Sequence, residues 1–269
     1  MLLADWRTLT RVIRRSDAVI EVLDARDPEG TRSRRAESIA RALDKGLLLV
    51  INKADLIPRP VVEDWLDYYE SRGLRCVAVS SLRGEGRGRL IRAMRELSSG
   101  REVTVFAVVG YPKTGKSSII NLLKGYKSAP TSKVPGSHGY TRGYTLYRVA
   151  EGLYIIDTPG TIPVGGDALE AAIRGRSPEE MSDPVRPAVM LLSRALAYNP
   201  DAVLKAYGIE DRDPYVILEK IARKRSWFYK STGEPNIEEA ARSVIRDYHA
   251  GKLWFFVPPP TRGSRTSQA

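Results

Sequence analysis

The chain has 269 residues, room for one large domain or two ordinary ones. A single cysteine excludes an internal disulfide and a Cys-rich metal site, and two histidines argue against a His-based zinc centre; that usage fits a reducing cytoplasm, and no apolar run approaches a membrane span. Lys and Arg number 43 against 32 Asp and Glu, a net charge of +11. The surplus points to a polyanionic partner, most simply RNA, with a basic surface tuned for solubility as the plainer alternative.

Residues 2–15 place Leu2, Leu3, Trp6, Leu9 and Ile13 near one helical face. Ala18–Leu23 reads as a strand running into Asp24-Ala25-Arg26-Asp27-Pro28, after which Arg32, Arg34 and Arg35 open a helix to about Lys45. Gly46–Ile51 is the next strand and leads directly into Asn52-Lys53-Ala54-Asp55. Pro58 and Pro60 precede a helix with Trp65, Tyr68 and Tyr69; the strand Cys76–Val79 follows, with Cys76 as a small buried side chain, and ends at Ser80-Ser81-Leu82. A helix from about Arg89 to Leu97 and the joint Ser98–Arg101 lead to the strand Thr104–Val109, a glycine-rich loop and the helix Ser118–Lys124. Beyond the Gly/Ser/Pro-rich residues 125–143, Tyr144–Val149 and Leu153–Ile156 form a hairpin turning near Glu151-Gly152 and ending in Asp157-Thr158-Pro159-Gly160. Five helical stretches follow, the clearest at Ile237–Ala250 with Asn236 as N-cap, Glu239 three residues on and Gly251 past its end.

Strands alternating with helices predict an α/β domain over residues 1–165, its sheet mainly parallel with helices on both faces. A smaller all-α domain over 166–257 and a disordered tail over 258–269 complete the expectation. Ligands of such sheets sit at the carboxyl ends of the strands, where every box named above falls.

The central stretch is Gly110-Tyr111-Pro112-Lys113-Thr114-Gly115-Lys116-Ser117-Ser118, which fits G-x-x-x-x-G-K-[ST] between a strand and a helix. Its glycines let successive N–H groups face phosphates, Lys116 is placed to reach the β- and γ-phosphates, and the Ser117 hydroxyl to ligate Mg²⁺. Asn52-Lys53-x-Asp55 suits guanine: a carboxylate accepts both N1–H and N2–H, Lys53 lies along the base, and Asn52 ties this loop to the phosphate loop. Ser80-Ser81-Leu82 offers a backbone N–H to guanine O6. Asp157 stands on the Mg²⁺ side, Gly160 senses the γ-phosphate, and Thr141 completes the metal shell, with Thr131 and Thr145 as competitors. A helical-region run, Arg223-Lys224-Arg225-Ser226-Trp227-Phe228-Tyr229-Lys230, interleaves cations and aromatics. Arg223, Lys224, Arg225 and Lys230 are its RNA candidates, while Trp227 and Phe228 suit a core equally well.

In ordinary GTPases the phosphate loop precedes NKxD and the serine box; here it follows them, so the chain is read as circularly permuted. That order, with Asp24–Pro28 ahead of it, resembles the YlqF/YawG group of circularly permuted GTPases. The resemblance implies GTP and GDP as ligands with Mg²⁺, GTP hydrolysis, and assembly of the large ribosomal subunit through a helical domain engaging ribosomal RNA or a pre-ribosomal particle. Cytoplasmic location and a monomer off the ribosome complete that reading. Two departures stand out. Relatives carry Asn where this chain has Lys113, which implies hydrolysis without marked K⁺ preference. Thr161 follows Gly160 where ordinary GTPases have Gln, so His138, a partner or simply slow turnover accounts for the missing group. The rival reading is a guanine-nucleotide sensor with negligible hydrolysis that regulates another RNA or protein.

Overall fold

The computed structural model describes residues 5–125, 130–131, 145–157, 162 and 168–260. The chain divides into two units, Met1–Pro163 with Val257–Ala269, and Val164–Phe256.

In the first unit α1 (Trp6–Arg14) starts where the Asp5 carboxylate accepts the Thr8 N–H, and leads to β1 (Ala18–Asp24). The elements α2 (Arg34–Ala42), β2 (Gly46–Asn52), α3 (Arg59–Glu70), β3 (Cys76–Ala78), α4 (Arg87–Leu97), β4 (Thr104–Val109) and α5 (Lys116–Lys124) follow in strict alternation. Then come β5 (Pro130–Thr131), β6 (Thr145–Ala150) and β7 (Leu153–Asp157). Among the described residues these strands make one seven-stranded sheet in the order β3-β2-β1-β4-β7-β6-β5. All neighbours from β3 to β7 in that order pair in parallel, and β6 is antiparallel to both β7 and β5.

Every residue of β1 is buried, the pattern of a central parallel strand covered on both faces. One face carries Ile20, Val22, Val50, Phe106 and Val108 against Leu90 and Met94 of α4 and Ile119 and Leu123 of α5. The opposite face includes a carboxyl group: Glu21 accepts the Ser33 N–H at 2.6 Å, and its other oxygen has no hydrogen-bond partner among the described residues. Burial first, then the neighbouring Glu37 carboxylate, push Glu21 up to about 8, so it is protonated at neutral pH.

The helix expected from Arg32 starts at Arg34 instead, because Ser33 caps it. Arg32 stays in the preceding turn, buried and paired with Glu37 and, at 2.9 Å, with Glu29. The two-residue β5 carried no sequence signal, being too short for an alternation to show. Cys76 is half-buried, and burial pushes its thiol up, which keeps it unreactive.

The second unit holds α6 (Ala168–Gly175), α7 (Val185–Tyr198), α8 (Ala202–Tyr207), α9 (Pro214–Lys224) and α10 (Ile237–His249). Leu191, Ile217, Leu218, Val244, Tyr248 and Phe255 share its core. Asn236 caps α10 by accepting the Glu239 N–H at 3.0 Å. Val257, read from sequence as the end of the helical region, instead belongs to the first unit. Its N–H donates to the Arg26 carbonyl at 2.7 Å and its carbonyl accepts Trp65 Nε1–H at 3.1 Å. Pro258–Pro260 continue without regular structure, and 261–269 lie outside the described residues. No helix among the described residues is long and apolar enough to cross a membrane.

Candidate nucleotide site

Strand register brings the boxes together. In the β1–β2 ladder Asp24 lies opposite Asn52, and Ile51 of β2 lies opposite Ala78 of β3, so three loops leave the sheet side by side at its carboxyl end. β4, on the other side of β1, delivers the glycine loop to the same end, with Glu21 opposite Val109.

The glycine loop is tightly fitted there. A Cβ on Gly110 would come within 2.7 Å of the Val22 carbonyl oxygen, and one on Gly115 within 2.2 Å of Asn52 Nδ2. Gly115, at φ 97°, also caps α5, whose first residue is the buried Lys116. Thr114 is buried and its hydroxyl donates to the Tyr111 carbonyl at 2.9 Å. Tyr111 and Pro112 are buried, whereas Ser117 and Ser118 stand exposed on the first turn of α5. Lys113 takes the left-handed conformation at φ 63°, rarely occupied by a side-chain-bearing residue and a sign that neighbours hold it. One such contact is at its carbonyl, which accepts Lys53 Nζ at 2.7 Å.

The base-reading loop makes these ties. Asn52 donates from Nδ2 to the Thr114 carbonyl at 3.0 Å, and its Oδ1 accepts the Ser81 N–H at 3.2 Å. One buried amide thus joins three boxes. Asp55 Oδ1 accepts the Ser80 hydroxyl at 2.6 Å, Arg83 approaches its other oxygen at 3.8 Å, and the Arg83 N–H donates to Ser80 Oγ at 3.2 Å. Leu82 is 89% exposed, so its side chain is not a lining group.

Sequence reasoning gave Asp24 no role, and the structure does. Fully buried at the end of β1, its carboxylate takes Arg26 Nε and Nη2 at 3.0 and 2.8 Å and Lys53 Nζ at 2.8 Å. Lys53 therefore stands between the Asp24 carboxylate and the Lys113 carbonyl, its ammonium anchored and its stem laid out in one direction. An acidic residue at the carboxyl end of a wholly buried central strand, opposite Asn52 of NKxD, is the signal that marks it.

Asp157 ends β7, whose parallel pairing with β4 puts it at the same end of the sheet. Ile162 is buried and its N–H donates to the Gly110 carbonyl at 3.1 Å, which places Ile162 at the start of the glycine loop. Thr141 and Gly160 lie outside the described residues, as do His138 and Thr161. Far along the chain, Arg223 pairs with Glu219 at 2.6 Å and Lys224 donates to the Tyr207 carbonyl at 2.6 Å. Arg225 bonds Ser243, lies 3.3 Å from Asp247 and covers the half-buried Trp227 ring at 5.0 Å. Lys230 is exposed, as is Phe228.

For Mg²⁺, the exposed Ser117 hydroxyl on the first turn of α5 and the position of Asp157 fit the donor set expected of it. The glycine cradle, too close to its surroundings to admit a Cβ, fits a polyphosphate.

A mainly parallel α/β sheet, with a glycine loop and NKxD loop bonded to each other at its carboxyl end and the base-reading boxes earlier in the chain, defines a circularly permuted P-loop GTPase. Residues 12–165 match the family model for the RsgA GTPase, and the chain belongs to that family. An uncharacterized GTP-binding protein of Methanocaldococcus jannaschii is 33% identical over 93% of this chain and 66% of its own length. Nucleolar GTP-binding protein 2 of Yarrowia lipolytica is 34% identical over 95% of this chain but 51% of its own, so the chain spans about half to two-thirds of these relatives. The structure of GNP-bound YlqF from T. maritima matches with a TM-score of 0.67 at 25% identity, covering 94% of this chain and 97% of that one. Its GDP-bound form matches at 0.64.

Proposed function

We propose that this protein binds GTP and GDP with Mg²⁺, hydrolyses GTP slowly by itself, and acts as a nucleotide-dependent switch in assembly of the large ribosomal subunit. It would work in the cytoplasm, as a monomer when off the particle, with ribosomal RNA or a pre-ribosomal particle as partner. The observation carrying this reading is the pair of bonds from Asn52 and Lys53 to the Thr114 and Lys113 carbonyls, which make base reader and phosphate cradle one rigid surface. GNP- and GDP-bound YlqF and relatives named nucleolar GTP-binding proteins support it.

In this reading the Lys53 stem lies along the purine and Asp55 accepts guanine N1–H and N2–H, the base taking the place of the exposed Arg83 side chain. Backbone N–H groups between Gly110 and Ser117 and the N-terminus of α5 hold the phosphates, and Lys116 neutralises the β- and γ-oxygens. Mg²⁺, held by Ser117, Asp157 and Thr141, supplies further charge neutralisation there. Catalysis is positioning and charge stabilisation, and Thr161 is too short to orient a water as Gln does, hence the slow turnover.

Asp55→Asn is expected to exchange guanine for xanthine preference, read as competitive displacement of labelled GDP by XDP. Single-turnover hydrolysis, in K⁺ or Na⁺ and with or without ribosomal particles, tests the rest: slow release, little changed by the cation and accelerated by particles, is expected. GTP binding that Asp55→Asn leaves untouched would sink the site, and hydrolysis indifferent to particles would sink the switch.

A further inference from the structure

We propose that the outer face of α1 is an RNA-backbone-binding surface on the GTPase unit, additional to any contact made by the helical unit. It rests on RNA as the partner of this protein, and not on the nucleotide chemistry. Leu9, Val12 and Ile13 bury one side of α1, and the exposed side carries Arg7, Arg11 and Arg14. At 3.6 residues per turn these three fall within about 60° of one another, a stripe about 10 Å long. They line a shallow groove of about 410 Å³ together with Trp6, Thr10 and Arg35, and among the described residues no carboxylate lines it. The Arg35 guanidinium lies over the Trp6 ring at 4.2 Å, which holds a fourth cation at the groove edge.

Three features separate this stripe from an ordinary solvated face. Among the described residues Arg7, Arg11 and Arg14 make no ion pair, whereas Arg223 and Arg225 of the helical unit are each bonded to a carboxylate of their own unit. The acid at the head of the same helix, Asp5, is engaged in capping; its carboxyl is held below the usual range by the hydrogen bond from Thr8, and to a smaller extent by Arg7 and Arg11. Helix stability accounts for Arg11 and Arg14 in the last turn but not for Arg7 in the first, where a cation opposes the macrodipole. Trp6 is half-buried beneath Arg35, so base stacking is not on offer and recognition is by phosphate. Arginine forks spaced along a helix suit that chemistry, and the net charge of +11 favours approach of a polyanion.

The test uses the full chain, with a short RNA duplex and a uridine homopolymer as probes, by fluorescence anisotropy from roughly 50 to 200 mM KCl. Arg7→Gln/Arg11→Gln/Arg14→Gln is expected to lower the slope of log affinity against log salt by about 2 and to weaken binding at least tenfold at low salt. The corresponding triple Lys variant keeps the charge and is expected to restore most of both. GDP affinity should be unchanged in the Gln variant, which separates this surface from the nucleotide site and reports that the fold is intact. An unchanged slope in that variant, or no RNA binding by the parent protein, overturns the proposal. Displacement of the RNA by polyglutamate at equal charge concentration also overturns it, because the face then reads as a site for acidic protein.

Discussion

The nucleotide end of the sheet and the basic stretch of the helical unit are both rich in cations, yet they hold them by different means. At the sheet, Arg26 and Lys53 converge on a carboxylate with no exposure, and Lys53 reaches across 60 residues of sequence to the Lys113 carbonyl. In the helical unit, Arg223 pairs with Glu219 one turn away and both side chains are substantially exposed. Buried pairs in low dielectric are costly to break because the surviving charge is left unpaired; exposed pairs one turn apart are screened and entropically expensive to hold. The first arrangement fixes geometry for a ligand, and the second leaves cations on a surface.

The sharpest way to break this contrast is Asp24→Ala, which takes the buried carboxylate away from both Arg26 and Lys53. A loss of about 3–5 kcal/mol in chemical denaturation is expected, with weaker GDP binding in whatever folded protein remains. If it costs no more than a change at Arg223, the contrast fails.

Glu21 sharpens the same point by pH. Its folded-state value of about 8 exceeds the ordinary 4.5, so the folded protein holds a proton that the unfolded chain releases. Stability is therefore unaffected by this group below about pH 4.5 and declines as pH rises toward 8. Glu21→Gln, facing the same Glu37, Arg32 and Arg34, should match the parent near the acid end of that window. At the alkaline end it should exceed the parent by about 4 kcal/mol, measured by urea melts across the window. A parallel pH profile for both proteins would remove Glu21 from the account.

Gly115→Ala adds a Cβ where Asn52 Nδ2 stands 2.2 Å away and where φ is 97°. About 2 kcal/mol of strain is expected, together with GDP affinity reduced by more than tenfold in calorimetric titration, since Asn52 must let go of Thr114. Smallest of all, Arg223→Ala should change stability by less than about 0.5 kcal/mol in the same denaturation assay.

Much of this architecture is readable along the chain. Alternating apolar strands and helices mark a parallel α/β sheet because both of its faces must be covered, and Gly110–Ser118 is recognisable because tight turns facing phosphates need glycine at fixed spacing. Asn52-Lys53-x-Asp55 is readable for the same kind of reason, as a loop chemistry tied to the end of a strand. Illegible were the partners: Asp24 as anchor of Lys53, Asp247 and Tyr207 as partners of Arg225 and Lys224, and Val257 bonding Arg26. Each depends on which distant segments the fold places side by side.

The sequence by itself determined the elements, their order, and the boxes that bind a guanine nucleotide in the proposed reading, since those follow from local periodicity and from ligand chemistry written into short stretches. Only the tertiary structure decided which charges are clamped and which remain available. Pairing Asp24 opposite Asn52 is a matter of strand adjacency, and the open arginines of α1 are defined by a groove that no carboxylate among the described residues lines, a property of packing that no stretch of sequence carries.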